Sequence, residues 1–250
     1  MRQIIFLLIV LLFISGCIKR NQTYSKNELK RFRYTPAGVL VPPNSGKGRY
    51  GDNYIYAPNI RFPLEKAPAY INSQVYGVGG MYGRRGNLCD KRNYQYPWHD
   101  NYCEKRSWAM PLCPAGKGHQ GVDIRASTCE NRKYYAVAVE DGVISYIGRY
   151  SLYLRGVSGR TYRYLHLASD SLRVRIGDRV RRGQRLGLVS DNMGDTKTSI
   201  HLHFDVKETL LINGKPQRVF VPIYTSLIDA YKRLLKGLVT VKTKIVEIYK

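Results

Sequence analysis

Between residues 134 and 206 apolar and polar positions alternate with a period of two, in YYAVAV, VISYI, RYLHL, VRIGDRV, RLGLV and IHLHFDV. Such alternation predicts strands with one buried and one open face, and the turn residues between them predict antiparallel connections. Glu140-Asp141-Gly142 between two such runs predicts a hairpin, and Gly177-Asp178 a second. Further on, Leu227, Ile228, Tyr231, Leu234 and Leu235 share one helical face after Pro222 and Ser226. Asp229 is placed to complete a capping box there, and Gly237 to end the helix. The pattern therefore predicts a mainly β, antiparallel domain over 113–222, then a short helix and tail over 223–250. The closing stretch VTVKTKIVEIYK reads as an edge strand or a frayed end.

Upstream, the one unbroken apolar run is Ile4 to Ile14, 11 residues, well short of the roughly 20 that span a bilayer as a helix. A multi-spanning membrane protein is excluded. Arg2, this run, and the small residues Ser15 and Gly16 make residues 1–16 an export signal. Residues 17–50, rich in Lys, Arg, Asn, Ser and Pro, read as a tether without fixed structure. Residues 51–112 shift to Tyr, Gly and Asn. Their string VYGVGGMYGRRGN lacks the flanking strand, helix and Gly-Lys-Ser/Thr of a phosphate loop, so the region reads as a loop-rich accessory layer. No internal repeat is evident.

Composition adds two constraints. With 44% apolar residues the chain can bury a core, and 41 Lys and Arg against 18 Asp and Glu leave a formal charge of +23. Arg160, Arg163, Arg173, Arg175, Arg179, Arg181, Arg182 and Arg185 concentrate part of that charge against Asp170 and Asp178. The partners such a stripe fits in an exported protein are carboxylate-bearing polymers or anionic lipid. Export and the absence of a recognition motif argue against nucleic acid. Export also means an oxidising compartment, so the even set Cys89, Cys103, Cys113 and Cys129 predicts two disulfides. Three pairings are open. A Cys113–Cys129 bridge, leaving Cys89–Cys103, would brace the segment that carries the first candidate site.

That site rests on four of the five histidines: His119 with Asp123 in GHQGVDI, His166 in RYLHL, and His201 with His203 in SIHLHFDV. Strand residues two or four apart share a face, so each of the paired strings presents two polar groups together, while Leu202, Phe204 and Val206 take the core side. Two imidazoles and a carboxylate with an open fourth position make a catalytic zinc shell, whereas a structural site would be closed and richer in Cys. The remaining histidines are placed to handle protons or an oxyanion. Asp205 shares their strand face and could orient one of them. His99 reads as an ordinary hydrogen-bonded histidine.

Taken together, GHQGVDI, Tyr164-Leu165-His166-Leu167, VRIGDRVRRGQRLGLVS and His201-Leu202-His203-Phe204 resemble, in order and spacing, the LytM/lysostaphin-type zinc metallopeptidases over roughly residues 116–207. The resemblance implies an antiparallel β domain of duplicated-hybrid-motif type, one zinc ion per chain on His119, Asp123 and His203, and His166 and His201 as catalytic residues. It implies a metalloendopeptidase cleaving peptides of bacterial peptidoglycan with metal-activated water. Here the lead-in to the second motif, SDNMGDTKTSI, and Asp205 in place of a Glu depart from the family's habit, which bears on loop shape and substrate choice. The rival expectation is a member that binds peptidoglycan without cutting it and activates a separate amidase, though every ligand is kept here.

A second resemblance concerns the start of the chain. Ile14-Ser15-Gly16-Cys17 is similar to the lipobox of bacterial lipoproteins, which implies lipidation of Cys17 and a membrane anchor. Ile18 rather than Asp after that Cys points to the outer over the inner membrane, at its periplasmic face. A regulatory protein partner is a further expectation.

Overall fold

Alternation across a strand puts every second residue on one face, and the chain uses this to build one large sheet between a core and an open surface. The computed structural model describes residues 27–238. The export signal expected over 1–16, Cys17 and the stretch 239–250 lie outside the described residues. Twelve strands follow in order: β1 (Tyr70–Ile71), β2 (Val122–Arg125), β3 (Tyr135–Val137), β4 (Gly142–Ile147), β5 (Ser151–Gly156), β6 (Thr161–Leu165), β7 (Arg179–Val180), β8 (Arg185–Leu188), β9 (Asn192–Met193), β10 (Thr196–Lys197), β11 (Leu202–Ile212) and β12 (Lys215–Phe220). The main sheet runs β1-β2-β11-β6-β5-β4-β7, with β12 also on β11. Its pairings are all antiparallel.

Leu202, Phe204, Val206, Tyr162, Tyr164, Leu152, Leu154 and Ile144 project from one face of this sheet and are fully buried. Against them lies a second layer formed by β3 and β8. Residues 61–65 extend it through hydrogen bonds from Arg61 N to Val139 O, Val137 N to Pro63 O and Glu65 N to Tyr135 O. Phe62 and Leu64 enter the core from this segment. The mainly β, antiparallel expectation holds, and so does the short C-terminal helix, Tyr224–Leu235.

Several expectations are corrected. The helix begins two residues before Ser226 without a side-chain cap: Ser226 Oγ instead accepts from Ala57 N at 3.1 Å, and Asp229 pairs with Arg233 at 2.9 Å. Gly237 does end it, at φ +72°, with Leu238 N donating to Arg233 O and Gly237 N to Leu234 O, a left-handed closure that glycine enters without steric cost.

Asp141-Gly142 forms no hairpin, because β3 and β4 belong to different layers and the chain crosses between them there. A Cβ on Gly142 would lie 2.3 Å from Arg155 O, so this glycine serves close strand approach. Gly177-Asp178 likewise leads into a strand that pairs with β4. The tight turn with two positive φ angles, Asn213 at 52° and Gly214 at 75°, joins β11 to β12 instead.

The tether expected over 17–50 does not extend through its described part. Phe32 is 6% exposed and packs against Trp98 and Tyr231 at ring distances of 4.7 and 4.9 Å, and Gly38 N donates to Asp100 Oδ2 at 2.8 Å. Residues 51–112 are loop-rich, yet Ile60, Phe62, Ile71 and Trp98 join the same core as the sheet. Isolated apolar residues such as Phe32 carry no periodicity, so nothing local marks them as core.

The disulfides are Cys89–Cys129 and Cys103–Cys113, not Cys113–Cys129 and Cys89–Cys103. Met110 N to Gly116 O and Gly118 N to Trp108 O fold the intervening loop back on itself, while Cys103 N donates to His119 O. These contacts set Cys113 against Cys103, with Cα atoms 5.5 Å apart. Arg125, at the end of β2, donates to Leu88 O at 2.9 Å, which draws Cys89 to the segment that carries Cys129.

Candidate metal centre

The register of β11 assembles the site. His203 lies opposite Asp123 on β2 and opposite Leu165 on β6, the residue before His166. His166 leaves β6 at φ +67° and is held by Ser190, whose N and Oγ both donate to its carbonyl at 2.8 and 3.0 Å. That turn sets its ring 4.5 Å from the ring of His201. His119, expected on a strand with Asp123, instead precedes β2 on a loop, where Gly121 allows the close approach: a Cβ there would stand 2.3 Å from Phe204 O. His201 sits just before β11. All five predicted residues converge, each between 2 and 7% exposed.

Hydrogen-bond partners assign the protons. A carbonyl oxygen only accepts, so His119 Nδ1–H donates to Asn101 O at 2.9 Å and leaves Nε2 as a lone pair. His166 Nδ1–H donates to Asn192 O and His201 Nδ1–H to Ser199 O, both at 2.8 Å. His203 Nε2 faces Asp205 Oδ2 at 2.8 Å and donates to it, leaving Nδ1 turned inward. The inward atoms are then His119 Nε2, His203 Nδ1 and Asp123 Oδ1. Nδ1 is 2.9 Å from Nε2 and 3.0 Å from Oδ1, and Nε2 is 3.3 Å from Oδ1. Three acceptors with no donor among them call for a positive charge in their midst.

The electrostatics agree. Burial opposes ionisation of Asp123, but positive charge placed on the neighbouring imidazoles of His119 and His201, with the hydrogen bonds they would then donate, outweighs it and sets the carboxyl well below the ordinary range. Burial disfavours the charged form of His203 too, yet its bonds to Asp123 and Asp205 raise its pKa above the usual imidazole value. Both shifts express a demand for a cation, which a metal ion held by His119, Asp123 and His203 would meet. These three are also the one group of described side chains arranged for a metal, with ligand atoms within 4.8 Å of one another. His166 behaves differently: burial, with His201 beside it, pushes it well below the ordinary histidine pKa, so it is neutral with Nε2 free to take a proton.

Several supporting residues carry no signal in the sequence. Asn101 holds His119 through its carbonyl and accepts from Asp123 N through Oδ1 at 3.1 Å. Gln74 Oε1 accepts from Ser199 Oγ, beside His201. Arg163, counted in the basic stripe, binds Asp205 at 2.6 Å and also reaches Gln120. Residues 51–112 therefore build the surroundings of the site as well as lying over the core. His99, expected to be hydrogen-bonded, has a buried Nδ1 without a partner in the described structure.

With this geometry in place, comparison of the sequence with known families decides the class: residues 117–218 match peptidase family M23. This segment is an M23 peptidase domain. Solved structures similar to this chain include a candidate glycyl-glycine endopeptidase lytM from Ruminococcus gnavus, at 19% identity over 71% of this chain and 62% of that one, TM-score 0.43. The catalytic domain of lysostaphin from Staphylococcus simulans is 25% identical over 48% of this chain and 85% of that one, TM-score 0.33. A zinc-containing peptidase from Vibrio cholerae is 27% identical over 49% and 37%, TM-score 0.30. This chain thus spans less than two thirds of the Ruminococcus protein. No curated protein matches the sequence.

Proposed function

We propose that this protein is a zinc-dependent endopeptidase that hydrolyses peptide cross-links or stem peptides of bacterial peptidoglycan. The observation that carries the reading is the convergence of His119 Nε2, Asp123 Oδ1 and His203 Nδ1, the two imidazoles each turned inward by an acceptor on the ring's other nitrogen. Two imidazoles and one carboxylate suit zinc with an open position. A zinc ion held there would polarise a peptide carbonyl and make water beside it more acidic.

The chain's own residues supply the rest. His166, neutral and held by Asn192 O, offers Nε2 as a proton acceptor. His201, fixed by Ser199 O, points Nε2 towards Asp123 Oδ1 at 3.5 Å. Each ring is held in one tautomer by its acceptor, so neither must reorient when a proton moves. Asp205 and Arg163 fix His203 in turn. With the sequence of residues 1–17, the same reading extends to a lipid-anchored enzyme on the periplasmic face of a membrane, the outer one by Ile18.

A second reading, a peptidoglycan-binding activator that does not cut, is favoured by the burial of all five residues and by the bond that Ser199, beside His201, donates to Gln74. One experiment separates the two: release of peptide fragments from purified sacculi by the full chain, with chelator, with zinc restored, and with Asp123→Ala. Zinc-restorable release absent from the variant supports the enzyme, and mass analysis names the bond. Absence of both zinc binding and release would overturn it in favour of the activator.

A further inference from the structure

The same face of the sheet that carries the metal centre continues, open, across four further strands. On β6, β5, β4 and β7 the residues facing away from the core, Arg163, Tyr153, Arg155, Tyr146, Val143 and Arg179, are all at least partly exposed. A bulge in β4 sets Ser145 and Tyr146 opposite Tyr153. It turns Tyr146 to the open face, where the two rings meet edge to face at 5.0 Å. Bulges commonly re-aim a side chain in this way. Contacts run without a break from the centre: His203 to Asp205, Asp205 to Arg163, Arg163 to Tyr153, Tyr153 to Tyr146.

One row further along the strands, pairing aligns Arg179, Val143, Arg155, Thr161 and Lys207. Arg155, Arg179 and Lys207 make no ion pair with any described residue, although Arg160 and Arg185 nearby are matched to Glu208 and Glu65. Among the described strands of this face the carboxylates are Asp123, inside the metal centre, and Asp205, already bound to Arg163 and His203. The three unmatched cations stand on alternate strands, so successive ones are about 10 Å apart, the rise of about three residues of an extended peptide. Lys207 is four residues beyond His203, about 13 Å along β11.

We propose that this face is the substrate-docking floor, and that it binds a carboxylate-bearing peptide laid across the strands, with Arg155, Arg179 and Lys207 holding its carboxylates and Tyr146 and Tyr153 its flat or apolar portions. The proposal rests on the peptidoglycan reading and specifies which chemical feature of that polymer is recognised. A peptide is favoured over a lipid surface because the face is continuous with the metal centre and, among its described residues, carries no cluster of exposed aliphatic side chains. Charge complementarity without competing acids supplies affinity and orientation.

The test measures binding apart from turnover. The full chain carrying Asp123→Ala is cosedimented with purified sacculi, native or with carboxylates converted to amides, and with vesicles containing phosphatidylglycerol. Adding R155Q/R179Q is expected to weaken binding to native sacculi by tenfold or more and leave binding to amidated sacculi unchanged. R175Q/R181Q, which removes the same charge from exposed arginines off this row, is expected to shift it less than twofold. Retained binding by R155Q/R179Q, equal losses in both pairs, or loss confined to the vesicles would each overturn the proposal. Unfolding midpoints of both pairs, expected to match the parent, keep a folding defect apart from a docking defect. If the binding pattern holds while the unsubstituted chain releases no fragments, the peptidase reading fails and the docking face stands. If the unsubstituted chain releases fragments while R155Q/R179Q binds as the parent does, the docking face fails and the peptidase reading stands.

Discussion

Asp205 Oδ2 stands 2.8 Å from His203 Nε2 and, on the same oxygen, 2.6 Å from an Arg163 nitrogen. The carboxylate thereby makes the outer nitrogen of His203 the donor and leaves the inner one open to a metal, while Arg163 pairs with it in a fully buried position. Asp205→Asn keeps the size but removes the charge, so the imidazole is less basic and its tautomer less strictly set. Zinc affinity, read by competition with a chromophoric chelator, is expected to fall about 10- to 100-fold. An affinity equal to the parent's would sink this role for Asp205.

Ligands and proton-handling residues should separate cleanly. His119→Ala and His203→Ala each delete an inward-facing nitrogen, and both are expected to abolish zinc binding and fragment release together. His166→Ala deletes neither, so metal analysis should still find one zinc per chain while turnover drops by about 10²- to 10⁴-fold. Full activity with metal retained in any of the three would remove that residue from the site.

Gly121 is a packing requirement between the two motifs. A methyl group there would meet Phe204 O at 2.3 Å and Asp205 Cβ at 2.5 Å, and the first of these is backbone that cannot rotate away. Gly121→Ala should push the loop carrying His119 off β11, costing roughly 1–3 kcal/mol of stability and weakening zinc binding as well. Denaturant titration and metal competition on the same variant check both effects. A variant as stable as the parent would show that the loop can yield.

Asp100 gives stability an unusual pH dependence. Burial raises its carboxyl to about 6, despite the bonds it accepts from Tyr102 N and Gly38 N. In the unfolded chain the group titrates near pH 3.9, so between about 4 and 6 the native state holds the extra proton. Its contribution is therefore greatest below about pH 4 and is lost as pH rises to 6, at about 1.4 kcal/mol per unit within that window. Asp100→Asn cannot titrate. The stability difference between parent and variant should therefore shift by about 2–3 kcal/mol between pH 4 and pH 6.5, and a constant difference would refute the assignment.

What was legible in the sequence is what depends on local periodicity. His201, His203 and Asp205 alternate with Leu202, Phe204 and Val206, and a pleated strand can only send the two sets to opposite faces, so the second half of the centre and its core backing were readable. The helix at Leu227 to Leu235 and its end at Gly237 were readable for the same reason, since the helical period and a left-handed glycine are properties of a few adjacent residues. Tertiary structure alone decided the partners. Asn101 holds His119 and Asp123, Gln74 holds Ser199, Phe32 enters the core, and Cys103 meets Cys113. Asp141-Gly142 crosses between layers where its local signal favoured a turn back. These outcomes depend on which distant segments come together, and a burial pattern of period two specifies that a face is covered without specifying by what.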